Sequence, residues 1–443
     1  MDAIPPSLWA SDAGLGDRLR DPLDRDLDVD IAVIGAGFTG LWTAYHLAKL
    51  EPWLSIVVLE RAFAGFGASG RNGGWCSALF PVGDDRIDRV GGPGAAQRMR
   101  SELRAEIEAI VAFCVDRGVD AVRSGTLVVA RNELQQGRLR GKTGQWLDES
   151  ALRARILVAD AMGAAYDPDC AVVHPGHLIR VLAEAVAAQG VSLVEGTAVH
   201  SYRAGVVQTE RHTVHARTVL RATEAWTPGL AGHRRDVAPV YSLIVATEPL
   251  PQAVWDEIGW AGRETLSDGR RLIVYAQRTA DDRIVFGGRG APYHWRSRIR
   301  PAYDQSPEVF GALEGALHEL FPATTPYAIT HRWGGPLGVP RDFFPSIHFD
   351  PVTRVGSAGG YVGDGVTASA LAGRTLADLV TGRDTEQTRL AWVGHRSPRW
   401  EPEPLRWIGI NAARTLAASV DQAEHRGSNA RLRTAALNRL TGG

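Results

Sequence analysis

Gly35, Gly37 and Gly40 are spaced as G-x-G-x-x-G, and Glu60 follows 20 residues after the last of them. The first glycine permits a tight turn, the second lets a pyrophosphate approach the backbone, and the third allows a helix to lie close against a strand. The turn, completed by Phe38 and Thr39, opens a helix whose free amides and partial positive charge suit phosphates. A carboxylate at Glu60 can accept hydrogen bonds from both hydroxyls of an adenosine ribose, with Arg61 beside it. That chemistry needs particular elements. Asp30–Ile34 is an apolar run that reads as a buried parallel strand, Leu41, Ala44 and Ala48 mark one face of the helix, and Ile56–Leu59 is a second strand delivering Glu60. Strand, turn, helix, strand and acid in register predict a bound dinucleotide.

A second glycine-rich loop separates FAD from NAD. Residues 65–74, Gly-Phe-Gly-Ala-Ser-Gly-Arg-Asn-Gly-Gly, offer close backbone approach at Gly67, Ala68, Ser69, Asn72, Gly73 and Gly74, with Arg71 a fixed cation. A simple nicotinamide domain has no use for such a loop, whereas a larger dinucleotide running back across the sheet does. The string G-A-S-G-R-N-G-G resembles the D-amino-acid-oxidase-like FAD superfamily, in its glycine oxidase, sarcosine oxidase and gamma-glutamylputrescine oxidoreductase branch. Residues 219–227 look like that family's "ATNAW" segment, carrying Thr223 and Trp226 but with Glu224 in place of the usual Asn. Gly359–Val366 looks like the late loop that caps the flavin ring, with Gly360, Tyr361, Gly363, Asp364, Gly365 and Val366 as cofactor contacts. The resemblance also implies a backbone contact of Val199 with adenine and places Trp75 and Gly334 near the flavin.

The resemblance implies an α/β fold, a discontinuous Rossmann-type FAD-binding domain with an inserted antiparallel-sheet substrate domain. Boundaries are expected at 28–125, 171–238 and 331–385 for the three parts of the FAD domain. The substrate domain should comprise an arm at 126–170 and a sheet at 239–330, and a helical extension should span 386–443. Alternation at Leu243–Ala246, Leu272–Tyr275 and Ile284–Gly287 supports that sheet, with Asp281-Asp282 as a turn. In the extension, Leu405, Ile408, Ala412 and Leu416 share a helical face expected to pack on the rest of the chain.

Composition agrees with an enzyme of two domains. The chain has 443 residues, 44% hydrophobic and 22% charged, with net charge −1. Nothing in that balance draws it to nucleic acid. Three cysteines, Cys76, Cys114 and Cys170, lack paired spacing, and no apolar run approaches a membrane span. A cytoplasmic location is expected. The histidines show no metal-ligand spacing, so no metal is expected.

On the substrate side, an amine must be neutral to lose hydride, and aromatic walls favour that form by desolvation. Trp333 and Tyr275 are candidate walls, and Arg289, with Arg278, is a candidate anchor for a carboxylate. The leading reading is therefore oxidation of the C–N bond of a primary or secondary amine. Alternatives are an amino-acid oxidase or dehydrogenase with an arginine-clamped carboxylate, and a non-catalytic flavoprotein. Sarcosine oxidases tether flavin through a late cysteine, and none follows Cys170 here, so noncovalent FAD is expected. Those enzymes also place a lysine beside the flavin. The two lysines here, Lys49 and Lys142, lie on no strand expected to face the ring. The electron acceptor is thus dioxygen, reacting slowly, or another acceptor.

Overall fold

The computed structural model describes residues 7–141 and 144–441. Its first elements are a short helix α1 (Leu8–Ala13), strand β1 (Leu27–Ile34), helix α2 (Phe38–Leu50) and strand β2 (Ile56–Leu59). β1 pairs in parallel with β2 on one side and with Thr213–Arg221 on the other. Ser192–Val194 continues the sheet beyond β2, and Val355–Gly359 continues it beyond Thr213–Arg221, both in parallel. Ile31, Val33 and Val58 face helices that present Leu41, Leu178, Leu182 and Ala370. Ala32, Ile34, Val57 and Leu59 face the opposite side, against Val207 and Val214. Burial on both faces explains why these strands are apolar throughout rather than alternating.

The second sheet has eight strands, with Ala238–Thr247 between Ile329–Val339 and Ile284–Arg289. Its pairings are antiparallel except between Thr265–Asp268 and Thr126–Ala130. Leu243, Val245 and Phe286 on one face pack against Phe310, Leu313 and Leu317 of the helix Pro307–Leu320. The other face carries Ile244, Ala246, Val285 and Trp333, which pack with Leu8 and Trp9 of α1.

Two expectations need correction. The boundary at 331 falls inside a strand, because Ile329–Val339 pairs with Ala238–Thr247, placing Trp333 opposite Ile244. Residues 331–339 thus belong to the second sheet. The Gly-Gly-Pro at 334–336 reads as a loop, yet an edge strand tolerates proline because one side needs no ladder bond. The C-terminal helix Leu405–His425 does pack on the chain, but by a different face. It buries Arg406, Ala417, Val420 and Glu424, while Leu405 and Ile408 are exposed. Polar contacts decide that face: Asp421 accepts from the Arg271 and Leu272 amides at 2.6 and 2.7 Å, and Glu424 pairs with Arg138 at 2.7 Å.

Candidate functional site

The first turn is built as its glycines require. Gly35 has φ +104°, and a Cβ there would lie 2.6 Å from the Ala222 carbonyl oxygen. A Cβ on Gly40 would lie 1.9 Å from the Gly35 oxygen, so α2 can sit this close to β1 only with glycine there. Gly37, the N-cap of α2, offers no side-chain cap of its own. The Phe38 amide instead donates to Ser69 Oγ at 2.8 Å, which brings the second glycine loop onto the start of the helix. Glu60 accepts from the Ala36 and Ala62 amides, both at 2.9 Å, fixing the carboxylate at the end of β2. Burial raises its pKa, and those two amides partly offset the shift.

Within the second loop, Ala68–Gly70 forms a single 3-10 turn, and Asn72 donates to the Ala68 and Ser69 carbonyls while accepting from the Gly74 amide at 2.8 Å. Arg71 is held by protein groups. Its guanidinium donates to the carbonyls of Phe66 and Gly334 and to Asp304 at 2.8 Å, tying the two sheets together. Trp333 is fully buried behind the loop, donating to the Arg71 carbonyl at 3.0 Å and meeting Trp9 edge-on. It supports the loop from behind and is not a wall of the substrate space, a correction to the expectation above. Its place at an inward position of a strand, between Ile244 and Trp9, is the reason.

The late loop is held from three directions. Glu224 accepts from the amides of Gly360 and Tyr361, Tyr361 shares a 2.9 Å hydrogen bond with Thr39 of α2, and Arg289 donates to the Val362 carbonyl. Asp364 stands at the N-cap of Gly365–Thr381, where burial pushes its carboxyl up to about 6 against the opposing charge of Arg289. Val366 is buried in the first turn of that helix. Tyr275 reaches the second glycine loop from the substrate sheet: a Cβ on Gly73 would lie 2.6 Å from its ring, and its hydroxyl bonds Ser242 at 2.9 Å. Trp75 meets Tyr275 edge-on at 6.2 Å.

Other expected residues lie further out. Trp226 sits between Arg61, 4.5 Å above its ring, and Phe66, with Gly67 close to its indole nitrogen. Thr223 bonds Thr227, and Val199 begins an edge strand antiparallel to Val206–Thr209. Arg278 is spent on Asp282 and the Trp255 ring at a hairpin end. Sequence reasoning missed Gln277, which is buried with its Oε1 unpartnered and its amide nitrogen against Gly74. Its position two residues after Tyr275 on the same strand face was the available signal.

These residues fit a dinucleotide. Glu60, Tyr275, Glu224 and Asp364 lie deep enough for desolvation to raise each pKa, yet all four keep accessible surface. Glu60 stands at the nucleotide turn, Tyr275 on the substrate sheet, and Glu224 and Asp364 at the late loop. The uncapped start of α2 lies at the second glycine loop.

Known proteins agree with that geometry. The chain is 30% identical over 383 residues to gamma-glutamylputrescine oxidoreductase of Escherichia coli, covering 82% of this chain and 86% of the relative. It is 29% identical over 387 residues to a probable oxidoreductase OrdL of Haemophilus influenzae, covering 82% and 85%. Glycine oxidase from Geobacillus kaustophilus superposes with a TM-score of 0.67 at 22% identity, over 81% of this chain and 96% of that one, which shows the fold. The family model of the DAO FAD dependent oxidoreductases matches residues 30–379. The chain belongs to the DAO family of FAD dependent oxidoreductases, and FAD is its cofactor.

Proposed function

We propose that this chain oxidises the C–N bond of a primary or secondary amine that carries no α-carboxylate. Bound FAD supplies a hydride-accepting ring, and the protein orients the substrate and excludes water. The observation that carries the reading is how the arginines are used. A carboxylate clamp needs a guanidinium with paired donors free in the site. Arg71 is consumed by Asp304 and two carbonyls and Arg278 by Asp282, while Arg289 gives one donor to the Val362 carbonyl and its charge is offset by Asp364. The aromatic faces of Tyr275 and Trp75 favour the neutral amine by desolvation. The relative named gamma-glutamylputrescine oxidoreductase supports an amine substrate.

FAD is held noncovalently: Cys76, near the second loop, is buried against Thr367 and its thiol is pushed up to about 12, which leaves no thiolate to form a tether. Dioxygen is a slow acceptor, because Lys49 is exposed on α2 and no lysine reaches the site among the described residues, Lys142 lying outside them. Three free buried cysteines support the cytoplasm, and among the described residues no helix is long and apolar enough to cross a membrane. Incubation of the holoprotein with matched amines and α-amino acids, using dioxygen or an artificial acceptor, tests the reading by the carbonyl product. Product from amines, faster with the artificial acceptor, is expected. Product from α-amino acids only would favour an arginine clamp, and no product from either would leave a non-catalytic flavoprotein.

A further inference from the structure

Glu224 stands where the resembling family carries Asn, and its backbone is left-handed at φ +43°. A glutamate holds that conformation only where its surroundings fix it. Its Oε2 accepts from the Gly360 amide at 2.9 Å and its Oε1 from the Tyr361 amide at 3.2 Å. Glycines make room for it, because a Cβ on Gly338 would lie 2.6 Å from Oε2 and one on Gly359 3.1 Å from it. One carboxylate thus joins the edge strand of the second sheet, the turn after Thr213–Arg221 and the late glycine loop. That loop does not hold itself. Gly359, Gly360 and Gly363 take positive φ freely, but Val362, at φ +56°, holds it only where its surroundings fix it. Arg221 is the cation whose charge favours ionised Glu224, and Tyr361 is a titratable group beside it.

Glu224 is half-buried, with its carboxylate against the late loop. A negative charge in the wall of a low-dielectric site opposes further negative charge, and reduction adds negative charge to a flavin ring. We propose that Glu224 is a positioning residue for FAD: it fixes the 359–364 loop and, when ionised, holds the midpoint potential of the bound cofactor below that set by a neutral side chain. This rests on the reading that the flavin ring lies at the late loop.

The test is the midpoint potential and visible spectrum of full-length holoprotein at alkaline pH in wild type, Glu224→Gln, Glu224→Asp and Asp364→Asn, with thermal unfolding alongside. Glu224→Gln should shift the potential upward and alter the spectrum, whereas Glu224→Asp, which retains the charge, should keep the wild-type potential with weaker FAD binding. If Glu224→Gln retains no FAD, an unchanged potential in Glu224→Asp supports the proposal and an upward shift there overturns it. A wild-type potential and spectrum in Glu224→Gln while Asp364→Asn moves them would overturn the role of Glu224 and leave the ring at this loop. No change in either variant would instead overturn the placement of the ring, and the proposal with it.

Discussion

Gly37 and Glu60 serve the same cofactor by different physics, and their variants should separate. A valine at Gly37 would place methyl groups at the uncapped start of α2, where only Ser69 Oγ, at 3.0 Å, now stands near a Cβ position. Gly37→Val is expected to purify without FAD. Glu60→Ala removes hydrogen bonds to a charged acceptor, each worth about 1.5–3 kcal/mol. It also frees the Ala36 and Ala62 amides, so FAD affinity should fall by about tenfold or more without vanishing. FAD content and dissociation constants of the two variants check this, and full FAD occupancy in Gly37→Val would be the contrary result. His46 makes a separate prediction about pH. Burial, with Arg374 and Lys49 nearby, lowers its pKa from 6.5 to about 3, so the folded chain keeps the imidazole neutral. Its contribution is therefore present above pH 6.5 and is lost as pH falls below it. Between about pH 6.5 and about pH 5 the loss is about 1.6 kcal/mol. Unfolding of wild type and His46→Phe at both pH values should show wild type losing that much more stability in acid.

At the scale of elements, α1 matters most for how the site is held. Ser7 donates to the Gly70 carbonyl at 2.6 Å, Trp9 donates to the Asn72 carbonyl at 2.7 Å, and Trp9 is only 2% exposed. The helix therefore clamps the second glycine loop from outside both sheets. Trp9→Ala should cost about 3–5 kcal/mol and reduce FAD retention, as read by unfolding and bound flavin. Trp333→Phe removes one hydrogen bond to the Arg71 carbonyl and should cost about 1 kcal/mol without changing the apparent KM. A raised KM at unchanged stability would return Trp333 to the substrate wall. None of this was legible beforehand, because a six-residue helix carries too little periodicity to mark itself, and its partners lie 63 residues away. By contrast β1, the turn, α2, β2 and Glu60 were legible, since their signals are local and occupy one continuous stretch. The face of the C-terminal helix was misread because the Arg271 amide and the Arg138 guanidinium, 150 and 286 residues away, hold Asp421 and Glu424 and outweigh its own apolar stripe.

Over the whole molecule, two sheets meet across the second glycine loop, and the Arg71–Asp304 pair is a charged link there. Both side chains are largely withdrawn from water, so removing one partner strands the other. Arg71→Ala should destabilise the protein by about 3–5 kcal/mol. Because its donors are turned toward the second sheet, the variant should also loosen the packing of that sheet, seen as faster proteolysis of the apoprotein. Wild-type stability and proteolysis would show the pair to be dispensable. The proposed activity depends on what the site accepts on the side of the substrate sheet that carries Tyr275. The most direct test is anaerobic mixing of the yellow holoprotein with an amine and with the same amine bearing an α-carboxylate, following loss of the visible flavin absorbance. The account predicts rapid bleaching by the amine and little by its carboxylated partner. Bleaching by the carboxylated compound alone, or by neither across a broad amine panel, would contradict it.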